Sequence, residues 1–223
     1  LLIVAIPKSA SSSLVASVQE ATGWAKSNAG IRKQHLTPLP APEGYGQLKR
    51  FHSEVAELTP DVVEMLKQPD QIVKLHIAPT ANNLALLRDV PKVVLLRPAE
   101  EIVAAYWRGQ ATSTWTTTVG EIARCKTPEQ WQEEAARLGL TCELEAFNND
   151  WRSGAGSALV ITYAELTGNP EQTIGNVMKF FGIEADNVPS LGQVNYTRDG
   201  GANTPAWKKA WFFLKRQWAR VTG

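Results

Sequence analysis

The chain has 223 residues, 43% of them hydrophobic, and a formal net charge of +1. That length suits one large α/β domain with a sizeable core, and the near-neutral charge excludes a global field that would demand nucleic acid or a membrane as partner. No apolar run reaches membrane-spanning length, and Cys125 and Cys142 lack metal or redox spacing, so they read as thiols in a reducing compartment, with one disulfide between them as the alternative.

The chain opens in the run Leu1-Leu2-Ile3-Val4-Ala5-Ile6, the pattern of a central parallel strand covered on both faces. A chain that opens directly in a strand is not expected to carry a signal peptide. The expected location is the cytoplasm, with an anchored secretory form as the alternative because the first residue is not Met. Helical spacing begins at Leu14 and runs to Thr22, with Gly23 as its stop. Residues 24–50 are rich in Pro and Gly and read as a long loop. A short helix carries Val62, Val63, Met65 and Leu66. Ile72–His76 reads as a second strand, Ala81–Arg88 as a crossover helix and Val93–Leu96 as a third strand. A helix follows from Glu100 to Arg108. Residues 109–152 read as mainly helical, with Trp115, Trp131, Leu138, Leu144, Phe147 and Trp151 forming an apolar face. Ala158–Ile161 is the fourth strand and Pro170–Phe181 a helix stopped by Gly182. Residues 184–204 read as loop and Trp207–Val221 as a last helix. Strands alternate with helices throughout, so the expected class is α/β, a three-layer α/β/α domain with a mainly parallel sheet spanning 1–223.

In such a sheet, ligands bind beyond the carboxyl ends of the strands. Lys8, His76 and Arg97 each fall at or just after such an end, so distant parts of the sequence converge on one rim. Pro7-Lys8-Ser9-Ala10-Ser11-Ser12-Ser13 joins the first strand to the first helix. Backbone N–H groups, a helix dipole and the lysine suit an anion; a serine-rich N-cap beside a solvated lysine is the structural alternative. The segment is not the P-loop G-x-x-x-x-G-K-S/T, because both glycines are missing and the lysine precedes the small residues. It is too short to wrap a triphosphate and long enough for one phosphate at a helix N-terminus. His76 suits general-base work because imidazole titrates near neutrality, with His35, His52 and Glu54 as alternatives. The Arg97 fork matches phosphate oxygens.

These segments together resemble the PAPS-dependent sulfotransferases. Pro7–Leu14 resembles their 5′-phosphosulfate loop, P-K-S/T-G-T/S-T/S-W/L. Lys74-Leu75-His76-Ile77-Ala78 resembles K-T-H-L-P. Val93–Arg108 resembles the strand followed by R-(D/N)-P-x-D-x-x-x-S-x-Y that binds the 3′-phosphate. Ile161–Leu166 with Asn169-Pro170 resembles Y-E-D-L…D-P, and Arg198-Asp199-Gly200…Trp207 echoes R-K-G-x-x-G-x-W. Order and rough spacing hold from residue 1 to about 207. Four positions depart from the pattern: Ala10 replaces Gly, Glu101 Asp, Ala105 the 3′-phosphate Ser, and Asp199 a Lys.

The resemblance implies a P-loop-like α/β sulfotransferase fold and transfer of a sulfonyl group from PAPS to a hydroxyl or amine, leaving PAP, with no metal. It implies Lys8, Ser9, Ala10, Ser11, Ser12 and Ser13 around the 5′-phosphosulfate. Arg97, Tyr163, Arg198 and Gly200 would lie around the rest of the nucleotide, with His76 as base and Lys74 at the sulfonyl oxygens. The acceptor is expected to be a small molecule or carbohydrate, not nucleic acid. The helix with Trp207, Trp211, Leu214 and Trp218 reads as docked on the core, with contact to a membrane surface or partner as the alternative. A sulfotransferase-like binding module without activity and a P-loop kinase-like enzyme are the other readings.

Overall fold

The computed structural model describes residues 1–27, 31, 33–37, 39, 44–51, 55–109, 120–184 and 188–191. Its elements are β1 (Leu2–Ala5), α1 (Ser11–Thr22), β2 (Ala25–Ser27), a 3-10 turn (Lys33–His35), β3 (Leu36–Thr37), α2 (Gly46–Phe51), β4 (Glu57–Leu58), α3 (Val62–Leu66), β5 (Gln71–Leu75) and α4 (Ala81–Leu86). There follow β6 (Lys92–Leu96), α5 (Ala99–Gly109), α6 (Gly120–Arg124), α7 (Pro128–Arg137), α8 (Leu140–Gly154), β7 (Ala158–Thr162), α9 (Tyr163–Gly168) and α10 (Pro170–Phe180).

Five strands form one sheet in the order β2-β5-β1-β6-β7, and every pairing is parallel. β3 and β4 form a separate antiparallel pair. The opening apolar run is the centre of the large sheet, as the absence of any polar residue in it predicts. Its alternation divides two cores. Leu2 and Val4 face the cluster built with Val73, Val94, Ile102, Tyr106, Trp131, Phe147 and Trp151. Ile3 and Ala5 face the cluster with Leu14, Val18, Val93, Leu95, Leu166, Ile174 and Val177. Helices α5, α7 and α8 therefore cover one face and α1, α9 and α10 the other. This is the three-layer α/β/α arrangement expected from the alternation of elements.

Two details fix where the strands end. Ala5 pairs with Leu95 and Val4 with Leu75, so β5, β1 and β6 finish side by side. Gly156 leads into β7 with φ +63°, and a Cβ there would lie 2.4 Å from the Arg88 carbonyl oxygen. Only glycine lets the Arg88 carbonyl take the Ser157 N–H at 2.7 Å.

The structure departs from the sequence expectations in the short elements. α1 begins at Ser11, three residues before the apolar spacing, because Ala10 makes the turn and its carbonyl accepts from Ser13 and Leu14. The segment read as a long loop contains β2, β3 and α2. The sequence of β2, Ala25-Lys26-Ser27, is an edge strand without an apolar face, and only its pairing with β5 makes it a strand. α9 has six residues, too few for a period, and is held by a capping box between Thr162 and Glu165. Within the expected apolar face, Trp131, Leu144, Phe147 and Trp151 are fully buried and Leu138 partly. Trp115, residues 192–204 and the expected helix 207–221 lie outside the described residues. Both cysteines are free thiols, and among the described residues no helix is long and apolar enough to cross a membrane.

Candidate active site

Between β1 and α1 the backbone passes through Lys8 and Ala10, each with φ 68°. A left-handed conformation costs an L-residue about 1–2 kcal/mol, and neither position is glycine. Ala10 is the N-cap of α1 but has no side chain with which to cap it. The N–H groups of Ser11 and Ser12 donate to no carbonyl of the helix or loop, as the first turn of a helix leaves them. Ser9 is fully buried, and its hydroxyl has no hydrogen-bond partner among the described residues. Unsatisfied N–H groups, an orphaned hydroxyl and the positive end of a helix suit an anion with several acceptor oxygens.

Cations surround this loop. Burial, and secondly the positive charge of Arg108, lower the Lys8 amine from its ordinary 10.5 to about 8. Lys74, near the end of β5, donates from Nζ to Ser12 Oγ at 3.4 Å and so reaches the first turn of α1. Next along the chain, His76 Nδ1 lies 2.7 Å from the Ala5 carbonyl oxygen at the end of β1. A carbonyl can only accept, so Nδ1 carries the proton, and Nε2 of the neutral ring has the lone pair. Desolvation is the main reason the ring resists protonation. The charges of Lys74 and Lys26 add to it, the Ala5 hydrogen bond opposes it, and the result is a pKa lowered to about 4. A neutral imidazole is the form a general base needs.

Arg97 completes the rim at the end of β6. It is buried, with 8% of its surface exposed. Nη1 donates to the Lys8 carbonyl at 2.6 Å and Nε to Glu101 Oε2 at 3.1 Å. Its guanidinium carbon lies 3.7 Å from the centroid of the Tyr163 ring, which opens α9. The Arg97 carbonyl accepts from Asn148 Nδ2 at 2.7 Å.

The loop Lys8–Ser13, Lys74, His76, Arg97 and Tyr163 are thus neighbours at the carboxyl ends of adjacent parallel strands. His35 is not tied to them by its described contacts: its Nε2 faces Asp61 Oδ2 at 3.4 Å and its carbonyl accepts from Thr59. His52, Glu54, Arg198, Asp199 and Gly200 lie outside the described residues. Ala105 is buried on α5 and brings no hydroxyl. Sequence reasoning missed Lys26 and Arg108, whose charges reach the site, and Asn148, which holds the Arg97 carbonyl. Arg108 was within reach of a helical count, since it stands two turns after Glu101 on the same face of α5. Lys26 depended on recognising β2, and Asn148 had no local signal.

No protein-family model matches the sequence, and no curated protein matches it either. Solved structures do. Over 93% of this chain the fold matches the mouse sulfotransferase SULT7A1, solved in complex with PAP, with a TM-score of 0.52 and 12% identity. The chain has a sulfotransferase fold. It spans 64% of the mouse protein's length. A sulfotransferase from Alicyclobacillus acidocaldarius is similar over 99% of this chain and 94% of its own, at TM-score 0.47 and 13% identity. The sulfotransferase domain from the curacin biosynthetic pathway is similar over 85% of this chain and 75% of its own, at 0.49 and 14%. The fold implied by the ordered motifs is the fold observed. In a sulfotransferase fold so remote in sequence, the roles of individual residues rest on this chain's own geometry.

Proposed function

We propose that the chain is a sulfotransferase that moves a sulfonyl group from PAPS to a hydroxyl or amine of a small-molecule or carbohydrate acceptor. The observation that carries this is the meeting of an anion cradle, Lys8 to Ser13, with the neutral ring of His76 at the ends of β1 and β5. The mouse protein of the same fold binds PAP, and the cradle suits the 5′ end of such a nucleotide. The orphaned Ser9 hydroxyl and the open N–H groups of α1 supply donors, and Lys8 supplies charge.

In the proposed reaction the acceptor oxygen or nitrogen attacks sulfur in line with the bond to the 5′-phosphate. His76 Nε2 takes the acceptor's proton as the new bond forms. The sulfur–oxygen bond to the 5′-phosphate breaks, and its electron pair stays on PAP. Lys8 and the N–H groups of the loop stabilise the charge that develops there, a contribution that is usually the largest in such catalysis. Lys74 lies against the sulfonyl oxygens. A bound anion would also offset the positive charge of Lys74 that depresses His76, so donor binding raises the basicity of the ring when it is needed. Arg97, Tyr163, Arg198 and Gly200 are proposed to complete the nucleotide site. The chemistry calls on no metal.

Calorimetric titration of the folded chain with PAP is the direct test, and absence of binding refutes the donor assignment. His76→Ala is expected to abolish turnover while PAP affinity stays within about threefold; near-normal turnover would transfer the base role to His35, His52 or Glu54. Ala105, which lacks the hydroxyl implied by the resemblance, favours one other reading: a binding module that holds PAP without transfer. PAP binding without transfer to any of a broad panel of acceptors would support it. Thermal stabilisation by ATP but not PAP would instead support a kinase-like enzyme.

A further inference from the structure

Arg97 does more in this structure than present a cation to a nucleotide. Its fork is engaged inside the protein, with Nη1 on the Lys8 carbonyl at 2.6 Å and Nε on Glu101 at 3.1 Å. The Tyr163 ring covers the guanidinium, and Asn148 fixes the backbone carbonyl of the same residue. Arg97 is therefore held from α5, α8 and α9 at once, and what it grips is the peptide after Lys8. That peptide follows a residue at φ 68°, with a second left-handed residue, Ala10, two positions on. Two left-handed non-glycine residues in one loop need an external hold, because neither side chain favours that conformation by itself.

We propose that Arg97 is a positioning residue for the 5′-phosphosulfate loop, acting through the Lys8–Ser9 peptide. The proposal rests on the nucleotide-binding reading above. The physical link is the planarity of that peptide. In a trans peptide the carbonyl and the next N–H point in opposite directions. By holding the Lys8 oxygen toward β6, Arg97 aims the Ser9 N–H to the other side and keeps the buried Ser9 hydroxyl where the loop has put it. The residue that the sequence resemblance assigns to the 3′-phosphate end of the nucleotide thus also shapes the 5′ end. Glu101 and Tyr163 serve it by fixing the plane of the guanidinium.

The two roles separate by ligand. Adenosine 5′-phosphosulfate occupies the loop but has no 3′-phosphate, whereas PAP has both phosphate ends. Calorimetric titration of wild type, Arg97→Lys, Arg97→Ala and Glu101→Ala with each ligand, alongside circular dichroism and thermal midpoints, reads the difference. A charge-assisted hydrogen bond is worth roughly 10- to 100-fold in affinity. Arg97→Lys and Arg97→Ala are expected to weaken both ligands by about that factor, since lysine keeps the charge but not the bond geometry. Glu101→Ala is expected to weaken both by a smaller common factor, and it reads the proposal if the Arg97 variants do not fold. Loss of PAP affinity with 5′-phosphosulfate affinity unchanged overturns the proposal and leaves Arg97 as a 3′-phosphate ligand alone. Wild type that binds PAP but not the 5′-phosphosulfate overturns it as well, because the loop then holds too little for its shape to matter. Wild type that binds neither overturns the nucleotide reading itself and this proposal with it.

Discussion

Replacing His76 with asparagine tests the claim that its ring is held neutral. Asparagine retains an N–H donor for the Ala5 carbonyl but cannot take up a proton. In the native protein the histidine is lowered from 6.5 to about 4, chiefly by desolvation. The unfolded chain therefore binds the proton first as pH falls. Stability from this group is complete above about pH 6.5 and is lost progressively as pH falls toward 4. At about 1.4 kcal/mol for each pKa unit, the full depression corresponds to roughly 3.5 kcal/mol. The ring keeps some solvent contact, which screens the effect, so about 2 kcal/mol is expected between pH 7 and pH 4. For a chain of this size that is about 4–8 °C in thermal midpoint. Urea unfolding of wild type and His76→Asn at several pH values supplies the difference curve, in which carboxylates common to both cancel. The variant should lose less stability on acidification, by that amount. Parallel curves for the two proteins would refute the argument and mean that the folded ring titrates at its ordinary value instead of being held neutral by burial.

Other expectations follow from the same geometry. Lys8→Met should weaken PAP roughly 10- to 100-fold. With the Lys8 amine lowered to about 8, wild-type PAP affinity should fall as pH rises through 8 and the amine loses its charge; the variant should lack that fall, as calorimetry at pH 7 and pH 9 would reveal. Ala10→Gly removes a left-handed alanine at the start of α1, and the relief exceeds the extra entropy of the unfolded chain, so urea unfolding should give a gain of about 0.5–1 kcal/mol. A loss would mean that the loop is not held in this conformation in solution. Trp131 is fully buried and its indole N–H donates to the Val103 carbonyl at 2.8 Å. Trp131→Ala should therefore cost about 3–5 kcal/mol in denaturant unfolding, whereas a cost below 1 kcal/mol would contradict the packing of α5 on α7.

What the sequence determined by itself was the frame. Six apolar residues with no polar interruption can only be buried on both faces, so Leu1–Ile6 had to lie at the centre of a sheet, and the other strand–helix alternations had to stack around it. The positions of Lys8, His76 and Arg97 at strand ends followed from the same pattern, because a parallel sheet brings all its carboxyl ends to one rim. The short elements were hidden from it. Lys26 belongs to a strand only because β5 offers an edge, and the six residues of α9 are helical through one capping box. Nor could any local pattern say which groups touch. That Arg97 grips the Lys8 carbonyl, that Ala5 fixes the tautomer of His76, and that Lys8 and Ala10 are both left-handed depend on pairings 71 to 89 residues apart in the chain. A side chain's charge and reach are written in its identity. Its protonation and its partners are set by desolvation and by neighbours that only the folded sheet brings within hydrogen-bonding distance.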